Sequence, residues 1–350
     1  VIAPFRRRRR RRTVGVDVGS AGLKVAVLDH SRGAPRLEKA GVLSLDGGQE
    51  PSGAARRRRR VAGAIRSLFE EERLPRRGIV CGVGGRDVIV RLLRVDRGLE
   101  GRRGALQCEA DRHVPSDAGA VQTDVQVLDP GGDSPRMSVL LVAARRDAVR
   151  RRLETLRAAG LEARVVDAEA LALHNCLEFN HPEAMEGVVA LACVGNRRTA
   201  INVVEDGAPV LARCVAFGTR GVRRALAVEH GMGEGLAEEV VRGRVRPLSV
   251  PVAGTLRRRV RELARAVERT SSFLRDREAG PAVGALYVCG GGSRIPRLSA
   301  VLADRLGVEV FRANPLQLLE PAPGALDPVD VDEALPLLAP AVGMGLRTAD

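Results

Sequence analysis

Thr13 to Asp29, TVGVDVGSAGLKVAVLD, reads as two apolar strands joined by a short turn that carries one acid and one lysine. Val14 and Val16 alternate on the first arm, and Leu23, Val25 and Val27 on the second, the period-two pattern of half-buried strands. Asp17 to Gly22 is the turn. Gly19 and Gly22 are expected there because glycine can take positive φ and let successive N–H groups approach a phosphate. Ser20 adds a hydroxyl, with Ala21 beside it at the tip. Asp17 stands where a carboxylate could hold Mg²⁺ through water, and Lys24 opens the return strand where an ammonium could reach a phosphate oxygen. Only Lys24 and Lys39 are lysines among 57 basic side chains, so a lysine at this point marks a need for a compact charge. An ordinary hairpin with a solvent-facing lysine fits the same residues.

Working outward, 350 residues with 45% hydrophobic and 29% charged side chains make a globular chain long enough for two lobes. The net charge of +14 points first to nucleic acid, but 2% aromatic residues cannot build the stacking platforms that single-strand binders use, so no nucleic-acid partner is expected. Two runs, Arg6 to Arg12 and Arg56 to Arg60, hold much of the excess charge and read as solvated segments. The first also fits a weak contact with anionic lipid. Six cysteines are scattered without a CxxC pair, as reduced core residues of a cytoplasmic protein would be. Neither a structural metal, a membrane span nor a signal peptide is expected.

Along the chain, the patterns predict a third strand over Arg36–Leu45, a helix over Ala54–Glu72 and strands over Gly78–Val83 and Val88–Val95. A brief helix follows to His113, ended by Pro115, then strands over Val121–Leu128 and Met137–Ala143 and a helix over Asp147–Ala159. Ala163–Val166 reads as a strand and Ala168–Leu177 as a helix, with Asp167 at the junction as a plausible N-cap. The second half then repeats the first. VGVDVGSAGLKVAVLDHSRGAPRL and LACVGNRRTAINVVEDGAPVL share strand, turn, strand, a turn containing Gly-Ala-Pro, strand. The second copy offers Gly195, Asn196 and Thr199 as its own phosphate contacts, so two hairpins would clamp one phosphate chain. Helices are predicted over Gly221–His230, Leu236–Arg242 and Ala253–Arg277. Leu286–Cys289 is a buried strand running into Gly290, Gly291, Gly292, Ser293 and Arg294 and then a helix from Ile295, an order that seats a phosphate or sugar. Asp332–Leu346 closes the chain as an apolar helix.

Together these pieces resemble the actin-like ATPase fold. Asp17-Val-Gly-Ser-Ala-Gly-Leu-Lys24, Val166-Asp-Ala-Glu-Ala-Leu-Ala-Leu-His-Asn175, Gly290-Gly-Gly-Ser-Arg-Ile-Pro296 and Arg312-Ala-Asn-Pro315 resemble, more narrowly, the PilM family of type IV pilus assembly proteins. The resemblance implies an α/β fold of two lobes with duplicated ribonuclease-H-like cores. The lobes would be 13–187, with a subdomain inserted at about 88–162, and 188–350, with helix 332–346 packing back on the first lobe; residues 1–12 would be a disordered basic arm. It implies ATP or ADP with Mg²⁺ in the cleft, Glu238 and Arg242 near the base, and a scaffold peripheral to the inner membrane. Its partners would be the cytoplasmic N-terminal peptide of a PilN-like membrane protein and other pilus platform proteins. Cys193 stands where the family's second hairpin usually has an acid, and Arg242 one place after its usual lysine, so at most weak hydrolysis is expected. A small-molecule kinase of the same superfamily would need a general base, for which Asp167 is the candidate. An FtsA-like division protein would carry an amphipathic membrane helix after a linker, where this sequence runs from its last core helix to Asp350.

Overall fold

The computed structural model describes residues 12–31, 33–45, 53–114, 120–275 and 282–347. The arginine run up to residue 11, most of the 47–53 loop and Pro115 lie outside the described residues. In chain order the strands are β1 (Arg12–Val18), β2 (Gly22–Asp29), β3 (Arg36–Ser44), β4 (Ile79–Val83), β5 (Val88–Asp96), β6 (Val121–Val127), β7 (Arg136–Arg145), β8 (Ala163–Ala168), β9 (Val188–Val194), β10 (Thr199–Glu205), β11 (Ala208–Val215), β12 (Ala285–Cys289) and β13 (Glu309–Arg312). The helices are α1 (Ala54–Glu71), α2 (Arg103–Asp111), α3 (Arg146–Ala158), α4 (Glu169–Asn180), α5 (Thr219–His230), α6 (Glu234–Val241), α7 (Val250–Arg275), α8 (Leu298–Leu306) and α9 (Val331–Leu346).

Two sheets result, one of order β3-β2-β1-β4-β8 and one of order β13-β12-β9-β10-β11-β5-β7-β6. In each, an antiparallel three-strand meander is continued by parallel strands, and the two repeated hairpins occupy equivalent places: β1–β2–β3 in the first, β9–β10–β11 in the second. Alternating Val and Leu fill the inner faces. Val14, Val16, Leu23 and Val25 pack with Ile65, Leu68 and Phe69 of α1 in the first core. Ile201, Leu286 and Val288 pack with α5, α6, α7 and α8 in the second.

Helices α4 and α9 lie between the sheets. Leu173, Leu177, Leu338 and Val342 share one cluster with Leu28 and Leu37 of the first sheet and Leu191 and Tyr287 of the second. The approach of α9 is close enough to require glycine on both sides. A methyl group on Gly15 of β1 would overlap the Ala341 carbonyl, and one on Gly343 would overlap the Ala172 carbonyl of α4.

Three expectations change. Arg12 is not part of a disordered arm but the first residue of β1, opposite Asp29, with its guanidinium on Glu38 at 2.7 Å. The segment 88–162 does not behave as one insertion. Its strands β5, β6 and β7 form a small core with α2, but Leu156 and Ala159, on and just after α3, are buried in the first lobe's core beneath β1 and β2. The inserted strands also join the second sheet, since β5 meets β11 at Arg91 and Leu211. Edge pairing of this kind depends on a backbone partner 120 residues away and leaves no local pattern.

Candidate functional site

Asp17 and Lys24 stand directly opposite one another across β1 and β2. Their side chains are only 9% and 14% exposed, and Lys24 Nζ donates to Asp17 Oδ2 at 3.0 Å. Burial works to lower the Lys24 pKa, but the Asp17 charge and hydrogen bond outweigh it and hold the ammonium above its ordinary 10.5. The turn is closed by the Gly19 N–H donating to the Gly22 carbonyl at 3.0 Å, leaving Ser20 and Ala21 half-exposed at the tip. The two glycines serve differently from the expectation. Neither takes positive φ. Gly22 is required by proximity, since a Cβ there would come within 2.8 Å of the Leu43 carbonyl oxygen, whereas one on Gly19 would meet the mobile end of Lys24 at 2.8 Å and the Gly22 carbonyl oxygen at 3.1 Å.

The second hairpin turns at Gly195, whose N–H donates to the Arg198 carbonyl at 2.9 Å. Asn196 and Thr199 are committed inside the protein. Asn196 Oδ1 accepts from Arg223 at 2.9 Å and from the Thr219 hydroxyl at 3.3 Å, while the buried Thr199 hydroxyl donates to the Phe217 carbonyl at 3.0 Å. Cys193 pairs with Cys289 across the parallel strands β9 and β12. A hydrogen bond with Cys193, then burial, push the Cys289 thiol well above its usual range. Cys193 itself is half-buried, and its charge when ionised is among those that raise the Lys24 pKa.

The glycine cluster completes the site beside the second hairpin. Gly290 has φ 79°, where only glycine is unstrained, and a Cβ there would lie 2.6 Å from the Val194 carbonyl oxygen. Gly291–Arg294 then makes a tight 3₁₀ turn fastened by the Ser293 hydroxyl on the Gly290 carbonyl at 2.8 Å. No helix N-terminus follows directly, contrary to the expectation. Helix α8 begins only at Leu298, after Arg297 at φ 61°, because the 3₁₀ turn and Pro296 intervene. Glu238 and Arg242 pair with one another at 2.8 Å, and Glu238 is also held by Arg223. These partners outweigh burial and hold the Glu238 carboxyl below its usual range.

Asp167 shares the first sheet with Asp17, two strands away across β4. It lies within β8 opposite Gly82; Ala168, not Asp167, caps α4. Burial raises its pKa, and the charge that opposes this is Arg347, beyond the end of α9. Glu169 at the start of α4 is 3.7 Å from Arg152, whose guanidinium also donates to the Val18 carbonyl of the first hairpin at 3.4 Å. Burial first, then repulsion from Asp17, raise the Glu169 pKa, while Arg152, Lys24 and Arg198 oppose the rise. Gly84 has no room for a side chain because a methyl there would overlap the Glu169 carboxylate. Glu169 sits inside the quoted stretch after Val166, but its position at the first turn of α4 reads only as a favourable helix start. Arg152 and Arg198 were likewise hidden among the many arginines. Among the described residues no three His, Cys, Asp or Glu side chains gather to hold a metal ion. The acids near Lys24 are hard oxygen donors, whereas Cys193 is soft, so a Mg²⁺ would rely on water and ligand oxygens.

Two repeated hairpins, a glycine loop against the second and helices between the sheets define a protein of the actin-like ATPase fold. Solved structures of the same fold include the ethanolamine utilization protein EutJ from Carboxydothermus hydrogenoformans, with a TM-score of 0.57 and 18% identity over 96% of this chain and 89% of that one. MreB 5 of Spiroplasma citri bound to AMPPNP matches with a TM-score of 0.51 and 11% identity over 95% of each chain. The family model for type IV pilus assembly protein PilM matches residues 15–349, and the chain belongs to that family. It is similar to a chain of the PilM–PilN type IV pilus biogenesis complex, with a TM-score of 0.80 and 26% identity over 97% of this chain and 98% of that one.

Proposed function

We propose that this protein is a nucleotide-binding scaffold of a type IV pilus platform that holds the cytoplasmic N-terminal peptide of a PilN-like membrane protein. The observation that carries the reading is family membership over nearly the whole chain, together with likeness to a chain of the PilM–PilN complex. The ligand is ATP or ADP, with phosphates between the two hairpins near Gly19, Ser20, Lys24 and Gly195 and the nucleoside toward Glu238, Arg242 and Gly290–Arg294. Mg²⁺ would be held through water by Asp17. Bound nucleotide supplies the phosphate oxygens that complete such a metal site, and the chain's own part is to place one ammonium and one carboxylate beside them.

Hydrolysis is proposed to be slow, because Cys193 offers a thiol where a carboxylate would hold the metal. Cys193→Asp is expected to raise turnover, measured as phosphate release. A wild-type rate within the usual enzyme range of about 1 to 10³ s⁻¹ would count against this reading.

The peptide is proposed to dock between the first-lobe core and the inserted strands, where Val90 and Leu140 pack on Ala168. No helix among the described residues is long and apolar enough to cross a membrane. The proposed location is cytoplasmic and peripheral, reached through the partner or through the basic N-terminus. Deleting residues 1–11, which leaves β1 whole, separates the two routes. Lipid attraction through arginines fades with salt and should be lost with them, whereas a peptide held by apolar pockets and backbone hydrogen bonds is screened little. The truncated protein should still co-sediment with membranes carrying the PilN-like protein. Loss of co-sedimentation would remove the scaffold's main mechanism.

A further inference from the structure

Helix α9 is apolar along most of its length, yet its first turn carries Glu333, to which three arginines from the second lobe converge. Arg242 NH1 lies 3.2 Å from its carboxylate and Arg294 NH2 3.7 Å, and Arg244 pairs with it as well. Arg242 also holds Glu238, which holds Arg223, which holds Asn196 in the turn of the second hairpin. One continuous chain of charge-assisted contacts therefore runs from the second hairpin, past the nucleoside side of the cleft, to the C-terminal helix.

A second tie joins the same parts. Pro340 has no N–H, so the Pro336 carbonyl one turn earlier lacks its helical donor. The Gly290 N–H supplies that donor at 2.6 Å, fixing the first residue of the glycine loop to α9. Beyond this point α9 lies on the first sheet, where its Gly345 carbonyl accepts from the Thr13 hydroxyl of β1.

Without Glu333 the arginines would oppose one another. Arg294 already has its pKa lowered, by burial first and then by the neighbouring Arg244 and Arg242 charges. We propose that Glu333 is a positioning residue: it fixes Arg242 and Arg294 at the nucleoside side of the cleft, and thereby links nucleotide occupancy to the seating of α9 on the first lobe. The inference rests on the nucleotide reading of the cleft. It adds that the C-terminal helix belongs to the binding apparatus, though it contributes no phosphate contact. The Glu333 side chain is 24% exposed and its partners partly so, so the effect on the ligand is read beside a tripolyphosphate control that reports any general loss of structure. Linkage makes the effect reciprocal: if α9 helps nucleotide bind, nucleotide must steady α9 by the same factor.

The test is Glu333→Gln, which keeps the shape and removes the charge. Calorimetry would compare Mg-ATP with Mg-tripolyphosphate, and hydrogen exchange of residues 331–338 would be followed with and without ATP. The expected result is about tenfold weaker ATP binding with tripolyphosphate binding unchanged, and loss of the ATP-dependent slowing of exchange seen in the wild type. Glu333→Asp, which retains the charge one methylene further back, should fall between the two and serves if the glutamine variant folds poorly. Unchanged ATP affinity and unchanged protection in both variants would overturn the proposal, as would equal losses for ATP and tripolyphosphate, which would mark a general loss of structure. If the wild type binds tripolyphosphate but no ATP, the nucleoside reading itself has failed and the inference falls with it.

Discussion

Lys24→Met should lower the stability of the first lobe by about 3 to 5 kcal/mol and weaken Mg-ATP binding by at least about a hundredfold. Asp17 is 9% exposed and Lys24 Nζ is its charged partner at 3.0 Å, so methionine leaves a buried carboxylate unpaired. Glu169 stands in the same field, with its pKa raised by burial and then by Asp17, and removal of Lys24 takes away one of the charges that stabilise its ionised form. Urea unfolding followed by far-UV circular dichroism reads the loss. Because the folded pKa of Lys24 is raised, the stability from its charge is fully present below the ordinary 10.5 and disappears only as pH rises through the higher folded value. The difference between wild type and variant should therefore hold across neutral pH and shrink in strong alkali. Asp17→Asn combined with Lys24→Met should recover much of the stability, since both buried charges are gone, but none of the nucleotide binding. If the double variant is no more stable than Lys24→Met, the cost does not come from an unpaired carboxylate.

Gly343→Ala should be the most damaging single-methyl change in the protein's helices, at about 2 to 3 kcal/mol. Its Cβ would overlap the Ala172 carbonyl, and the obstruction is helix backbone, which cannot rotate aside as a side chain would. Either α4 or α9 must move, and both are packed between the sheets. Gly63→Ala in α1 is the control: a Cβ there meets nothing within 4 Å. Alanine at that exposed helical site should stabilise by about 0.5 to 1 kcal/mol. Thermal melting of the two variants should move in opposite directions. Equal melting temperatures would show that α9 is not seated as tightly as its glycines indicate.

What the sequence disclosed follows from where the information lies. The hairpins at Asp17–Lys24 and Gly195–Thr199 were legible because each is a local pattern, two alternating arms around a turn, and because the pattern occurs twice. The glycine cluster at Gly290 was legible as a close approach, although the helix expected directly after it starts three residues late. The functions of particular residues were less accessible. Gly22 is small because the β3 backbone at Leu43 lies against it, a fact of tertiary distance and not of φ. Asn196 and Thr199 are marked as ligand contacts by position in the repeat, and the inward hydrogen bonds of their side-chain oxygens are not legible from it. Glu169 and Glu333 each open a helix, where an acid is favourable for its own sake, so nothing local separates a helix start from a cleft residue. Arg152 and Arg198 are charged groups in a chain where arginine is everywhere, and only their partners single them out. The junction of β5 with β11 lies furthest from view, since strand order is set by packing of whole subdomains.

The central claim is that the cleft between the two hairpins binds nucleotide. Isothermal titration of protein stripped of carried-over nucleotide with Mg-ATP tests it most directly. A saturable heat at one site per chain, absent in Lys24→Met, is the predicted result. No heat and no thermal shift at millimolar Mg-ATP would contradict it.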